Sequence, residues 1–248
     1  MTKISMQEMS NAVHHGDCLD VMKLIDDTSI DMILCDLPYA TSGCKWDSLI
    51  PFEPLWEQYN RIIKDNGAIV LTGSQPFTSR LIMSNRKMFR YEWIWDKKKG
   101  GNIMNLKVAP YKVHENIVVF SKKRHNYYPI MVPQKTRTGK TYSSGEATGV
   151  PNYGDVRIYK EKYPKSILEY SNASQKGKVH PTQKPVSLFE YLIKTYTREG
   201  DLVLDNCAGS GTTGIACQNT GRNFILIEKE LKYCEIAINR LKENAGNE

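Results

Sequence analysis

No stretch of the 248 residues approaches the ~18 consecutive apolar positions that a membrane-spanning helix requires. The opening residues, MTKISMQEMSNAVHHGD, are polar and lack the apolar core of a secretion signal, so a cytoplasmic protein is expected. Cysteine is sparse: six thiols, at 18, 35, 44, 207, 217 and 234, without a C-x-x-C pair. That scatter argues against a zinc or dithiol-redox site and reads as reduced thiols. None of the five histidines has metal-ligand spacing to another, and no metal is expected. Internal repeats and low-complexity tracts are also missing. What remains is ordinary globular composition, 40% hydrophobic and 25% charged, long enough for one α/β domain with a full core, or for a core plus a smaller appended lobe.

Positive charge is concentrated. The whole chain carries +7, yet residues 121 to 185 alone hold 13 Lys and Arg against 4 Asp and Glu, with seven of the fourteen tyrosines. Clustered cations attract phosphates, and interleaved aromatics can stack on bases or wedge between them. A solvated loop region with incidental charge is the plainer reading of the same composition.

The rest of the chain alternates strand and helix signals, the pattern of a parallel-type sheet with helices on its faces. Ile30 to Asp36 is an apolar run of strand length. A helix follows over 51 to 65, with proline in its first turn and Asp65-Asn66-Gly67 as a stop. Ala68 to Thr72 predicts a second buried strand, Pro76 opens another helix, and Tyr91 to Trp95 and Ile117 to Phe120 read as further strands. From 121 to 180 the periodicity fades, over a span too long for a simple loop. It returns with a helix over Val186 to Arg198, a strand at Asp201 to Asp205, a Gly-rich turn, a helix over 212 to 220, a strand at Phe224 to Glu228 and a last helix from Leu231. Residues 1–120, 121–180 and 181–248 are thus expected to be two halves of one domain with a lobe between them.

The segment Asp205-Asn-Cys-Ala-Gly209-Ser-Gly211-Thr212-Thr-Gly214 places small residues between a strand and a helix start. There a ligand can approach the backbone and use free helix N–H groups. A P-loop is excluded because no Lys follows Gly211. Gly209, Gly211 and Gly214 match G-x-G-x-x-G spacing, which a simple connecting turn could also produce. Glu228, about 20 residues on, stands where a carboxylate can accept ribose hydroxyls. That suits a nicotinamide or an S-adenosylmethionine nucleoside equally.

Asp36-Leu37-Pro38-Tyr39 follows an apolar strand directly, setting a carboxylate, a stiff turn and an aromatic ring together. Such a group suits amine methylation. An exocyclic amine on a base is a poor nucleophile, because its lone pair is delocalised into the ring. The Asp36 carboxylate and the Leu37 carbonyl could accept its two N–H groups and draw the nitrogen toward tetrahedral geometry. Tyr39 could stack on a base extruded from the duplex, and the methyl would pass in line. Taken alone, the tetrapeptide is common.

The ordered set is more specific. Asp36 to Tyr39, then His180-Pro-Thr-Gln-Lys184-Pro185, then Asp205 to Thr213, resembles the beta-class DNA amino-methyltransferases of the N-4/N-6 DNA methylase family across nearly the whole chain. The resemblance implies a Rossmann-like S-adenosylmethionine-dependent fold with a mostly parallel twisted sheet, permuted motif order and an inserted target-recognition lobe. It implies Asp36, Leu37, Pro38 and Tyr39 as the catalytic group. Asp17 is implied near the cofactor adenine, and Lys184 with Pro185 toward the methionine carboxylate. Asp205, Gly209, Gly211 and Thr212 are implied as the cofactor loop, and Glu228 as the ribose carboxylate. S-adenosylmethionine and double-stranded DNA are the implied partners, with a homodimer and a restriction endonuclease as further expectations.

Two departures stand out. Leu37 replaces the usual first proline, keeping the backbone carbonyl but loosening the turn. Asn206-Cys207 replaces Pro-Phe, removing a packing surface beside the cofactor. Members that begin the catalytic motif with Asp generally act on adenine N6, those with Ser on cytosine N4, so adenine is expected. The rivals are an N4-cytosine enzyme, a nicotinamide oxidoreductase, which leaves Asp36 to Tyr39 unexplained, and a catalytically weak DNA-binding protein. RNA and protein methyltransferases usually carry the two motifs in reverse order. His114-Glu115 resembles a recurring family segment without an evident physical role.

Overall fold

The computed structural model describes residues 5–40, 48–144, 151–172 and 183–246. In chain order, the first elements are α1 (Met6–Met9), β1 (Ala12–His15), α2 (Cys18–Met22) and β2 (Ile30–Cys35). Then come α3 (Phe52–Ile62), β3 (Ile63–Gly73), α4 (Phe77–Ser84), β4 (Phe89–Asp96) and β5 (His114–Phe120). Strands β6 (Val132–Ser144), β7 (Pro151–Lys162) and β8 (Ile167–Glu169) follow. The chain closes with α5 (Val186–Tyr196), β9 (Leu202–Asp205), α6 (Thr212–Asn219), β10 (Asn223–Glu228) and α7 (Leu231–Ala245).

Eight strands form one sheet in the order β1-β10-β9-β2-β3-β5-β4-β8, and every neighbouring pair is parallel except those made by β5. The expected mostly parallel α/β sheet is therefore present. The central strands β2 and β3 carry the buried apolar runs Met32 to Cys35 and Ala68 to Leu71 because both faces are covered there. In β2, Ile33 and Cys35 pack on one face with Leu55, Tyr59 and Ile62 of α3. Met32 and Leu34 pack on the other with Leu188 and Leu192 of α5 and Ala216 of α6.

The helix expected over 51 to 65 ends at Ile62, and Asp65 and Asn66 lie in an exposed stretch of β3 rather than in a helix stop. Ile30 pairs with Ile63, so sheet pairing captures these residues before the Asn-Gly signal is reached.

The segment expected as a lobe divides differently. Two compact units are present, Met1–Tyr128 with Ser166–Glu248, and Pro129–Lys165. The second is narrower than 121–180 because its flanks belong to the main unit. There Ser121 and His125 join the side chains of Arg90 and Tyr91, Tyr128 N–H donates to the Thr195 carbonyl, and β8 pairs with β4. By itself the smaller unit is an antiparallel hairpin of β6 and β7. Among the described residues, no helix is long and apolar enough to cross a membrane.

Strand order reverses between β9 and β2. From β9 the chain crosses through α6 to β10 on one side, and from β2 it crosses through α3 to β3 on the other. These helices cover opposite faces, which opens a crevice at the carboxyl ends of β9 and β2. The residues following those two strands are Asp36 and the Gly-rich turn.

Candidate active site

The crevice holds a cleft of about 520 Å³. Asp17, Asp36, Leu37, Pro38, Tyr39, Lys184, Asp205, Gly209, Thr212 and Glu228 all line it. Pro185 and Gly211 do not. Pro185 is the N-cap of α5 and Gly211, at φ 78°, the N-cap of α6, so each shapes a helix start behind the wall. Of the His180 to Pro185 stretch, residues 180–182 lie outside the described residues, as does Cys44.

On the β2 side, the Asp36 carboxylate has three donors. Tyr39 Oη donates to Oδ1 at 2.7 Å, Thr72 Oγ1 donates to the same oxygen, and Lys184 Nζ lies 2.9 Å from Oδ2. Thr72 comes from the end of the adjacent β3, and its Oγ1 lies 3.0 Å from Tyr39 Oη, close enough to share the phenol's single proton with Asp36. An ionised carboxylate offers about four lone-pair sites, so capacity for one further donor remains. The Tyr39 ring is backed by Phe77, with centroids 5.0 Å apart and planes inclined at 27°. Burial, then the Asp36 charge, pushes the Tyr39 phenol well above its ordinary range and keeps it a neutral donor.

Lys184 is buried, at 7% exposure, and lies between two carboxylates. Its Nζ is 2.9 Å from Asp36 and 3.1 Å from Glu115 Oε2, while Lys97 Nζ meets Glu115 Oε1 at 2.9 Å. Burial alone would lower the Lys184 pKa, but Asp36 and Glu115 outweigh it and the ammonium is favoured. For Glu115, burial pushes the carboxyl up, yet Lys184 and Lys97 hold it below its usual range. Lys184, expected to face a cofactor carboxylate, is thus engaged first with protein carboxylates. An ammonium carries three donors, so it retains capacity for one more acceptor.

On the β9 side, Asp205 accepts from Cys207 N–H at 3.0 Å and from Thr213 Oγ1 at 2.5 Å. Its burial pushes the carboxyl up to about 6, against the pull of those hydrogen bonds. Glu228 Oε2 accepts from Gly209 N–H at 2.7 Å and Oε1 from Glu230 N–H at 2.9 Å. Each oxygen keeps a second lone pair for a ligand hydroxyl. Asp17 caps α2 by accepting from Leu19 N–H at 3.0 Å. Where Asn206-Cys207 replaces the usual pair, Asn206 is buried and accepts from Tyr59 Oη at 2.5 Å, and Cys207 joins Cys18 in the cleft wall.

Glu115, Lys97, Thr72 and Trp95 enter the site although no sequence motif assigns them to it. His114-Glu115 is the only hint among them, and Glu115 acquires its role as the second anion against Lys184. Trp95, at the end of β4, lines the cleft with its ring centroid 5.8 Å from Lys184 Nζ.

A DNA methylase family profile matches residues 30–239. The type II methyltransferase M.HinfI of Haemophilus influenzae is 28% identical to the chain, over 100% of it and 72% of the relative. Among solved structures, that of an M1.HpyAVI–SAM complex superposes with a TM-score of 0.63 at 26% identity, covering 93% of this chain and 99% of the other. The cytosine-N4-specific PvuII DNA methyltransferase shares the fold at 18% identity, with a TM-score of 0.67 over 95% of this chain and 91% of the other.

Proposed function

The chain belongs to the DNA methylase family of N6 and N4 amino-methyltransferases, and from that premise we propose that it methylates adenine N6 in duplex DNA with S-adenosylmethionine as donor. One observation carries the reading. A carboxylate at the end of β2, with acceptor capacity to spare, shares a single cleft with a Gly-rich turn closed by Glu228.

The residues present fit a sulfonium nucleoside. Glu228 has lone pairs left for two ribose hydroxyls, Asp17 can accept from an adenine amino group, and Lys184 can donate to a carboxylate. Gly209 and the α6 start at Thr212 leave room for close approach to the backbone. S-adenosylmethionine, when bound, supplies a methyl group on an activated sulfur.

The protein's part is orientation and proton handling. With a base extruded into the cleft, Asp36 accepts one amino N–H at its remaining lone pair, and the Leu37 carbonyl accepts the other. Both acceptors pull density toward nitrogen and favour the tetrahedral geometry in which its lone pair can attack in line. Tyr39 offers an aromatic surface stiffened by Phe77, and Thr72 and Tyr39 fix the rotamer of Asp36. The proton shed by the methylated nitrogen leaves through the acceptor it already contacts. Asp at position 36, rather than Ser, supports adenine over cytosine.

The test is expression in a bacterial host without DNA methylation, followed by single-molecule sequencing and an Asp36→Ala control. N6-methyladenine at one short motif, absent from the control, is expected. N4-methylcytosine would keep the mechanism and move the base. An unmodified genome, from soluble protein that binds S-adenosylmethionine, would sink the proposal.

A further inference from the structure

Between β4 and β5, residues 97–112 form a loop at the same carboxyl edge of the sheet as Asp36. Its feet are fixed to the cleft: Lys97 holds Glu115, and Lys112 Nζ donates to Ser74 Oγ just past β3 at 2.5 Å. The base is closed by Asn102, whose Nδ2 donates to the Pro110 carbonyl at 3.0 Å and whose Oδ1 accepts from Lys112 N–H at 2.9 Å. Tyr111 Oη donates to the Gly100 carbonyl at 3.1 Å. The feet run so close that a Cβ on Gly100 would lie 2.5 Å from the Lys112 oxygen.

This bracing holds up a tip that buries little. Met104 is 95% exposed, Val108 86%, Ile103 66% and Leu106 48%. Scattered apolar side chains on a surface are ordinary, but four within six positions on a braced loop form a patch that calls for a partner. The loop carries five lysines, at 97, 98, 99, 107 and 112, and no Asp or Glu. Among the described residues, Lys99 and Lys107 make no ion pair. A two-fold contact between copies centred on this tip would set like charges against each other. A polyanion resolves that conflict.

We propose that this loop enters the duplex beside the cleft, Met104 and Val108 filling the stack that the extruded base vacates while Lys99 and Lys107 meet flanking phosphates. The inference rests on the DNA methylation reading. Apolar wedges inserted between base steps are a general way to offset unstacking, and chemistry on an amino group inside a duplex requires extrusion first.

The experiment compares two duplexes. One carries the motif found by sequencing; the other has an abasic sugar opposite the target base, so that extrusion costs least. The double variant Met104→Ser, Val108→Ser is expected to slow methylation of the paired duplex about ten-fold or more, and of the abasic-partner duplex less than about three-fold. Lys99→Gln with Lys107→Gln should lower the salt slope of binding by about 2. Equal slowing on both duplexes, or none, overturns the proposal. So does a wild-type dimer that the Ser variant turns into a monomer in sedimentation, which would make the tip a self-interface. A wild-type enzyme that methylates neither duplex would count against the methylation reading itself and remove this inference with it.

Discussion

Asp205 is buried and Glu115 is partly buried, and their surroundings pull their carboxyls in opposite directions. Among the described residues Asp205 has no cationic partner, and its burial, with a smaller push from the Asp36 charge, raises the carboxyl to about 6, from 3.8. Since the folded protein favours the protonated form, this group's contribution to stability is full below pH 3.8 and is lost as pH rises through 6. At pH 8 the ionised Asp205 therefore costs stability, on the order of 2–3 kcal/mol. Asp205→Asn should melt above the wild type at pH 8, with the gap closing toward pH 4; a gap constant across that range would contradict the assignment. Glu115 is instead held between Lys97 and Lys184. Glu115→Gln leaves buried Lys184 and partly buried Lys97 with one carboxylate fewer, and a loss of about 3 kcal/mol is expected. Denaturant unfolding checks it, and a loss below about 1 kcal/mol would mean the trio is solvated rather than buried.

At the scale of elements, the Gly-rich turn after β9 depends on how α6 meets α7. Gly211 has φ 78°, and a Cβ there would lie 2.9 Å from Ala237 Cβ and 3.2 Å from Ala237 Cα. Because the second of these neighbours is backbone, the helices must move apart to admit a methyl group. Gly211→Ala should cost about 1–3 kcal/mol through strain and overpacking. It should also weaken S-adenosylmethionine binding by calorimetry, since Gly209 of the displaced turn is hydrogen-bonded to Glu228; unchanged affinity would separate the turn from the cofactor. At the other side of the crevice, β5 runs antiparallel between β3 and β4. That reversal brings the start of β5, with Glu115, to the edge where β2, β3 and β4 end, and so delivers a carboxylate to Lys184.

Over the whole molecule, positive charge is carried by both units. The α/β unit supplies the cleft, while exposed Lys135, Arg137, Lys160 and Lys162 lie on the β6–β7 hairpin. If that hairpin meets DNA phosphates, its cations set the salt dependence of binding. Replacing all four with Gln should reduce the slope of log affinity against log salt by about 1 for each phosphate that is no longer neutralised. Anisotropy with labelled duplex at several salt concentrations measures this. An unchanged slope would take the hairpin out of the interface. The affinity for S-adenosylmethionine should stay as it was.

The sequence by itself determined whatever depends on neighbours along the chain. Apolar runs marked β2, β3, β9 and β10, because strands covered on both faces need them. Asp36 and Glu228 were placed by their position at the ends of those strands, and the small residues from 208 to 211 by the turn they permit. The fading periodicity after 121 covers the hairpin, but it also covers flanking residues such as Ser121 and Leu168 that the main unit buries. Only the tertiary structure decided the rest. Lys184 and Glu115 are 69 residues apart, and Thr72 and Asp36 are 36 apart. No local pattern announces such partners, because the pairing follows from strand order across a sheet. Strands β1 and β8, of four and three residues, were invisible for the same reason: their pairing partners, rather than their own composition, make them strands. Nor could spacing show that Lys184 is held between two protein carboxylates, since a buried ammonium is positioned by whichever anions the fold brings to it.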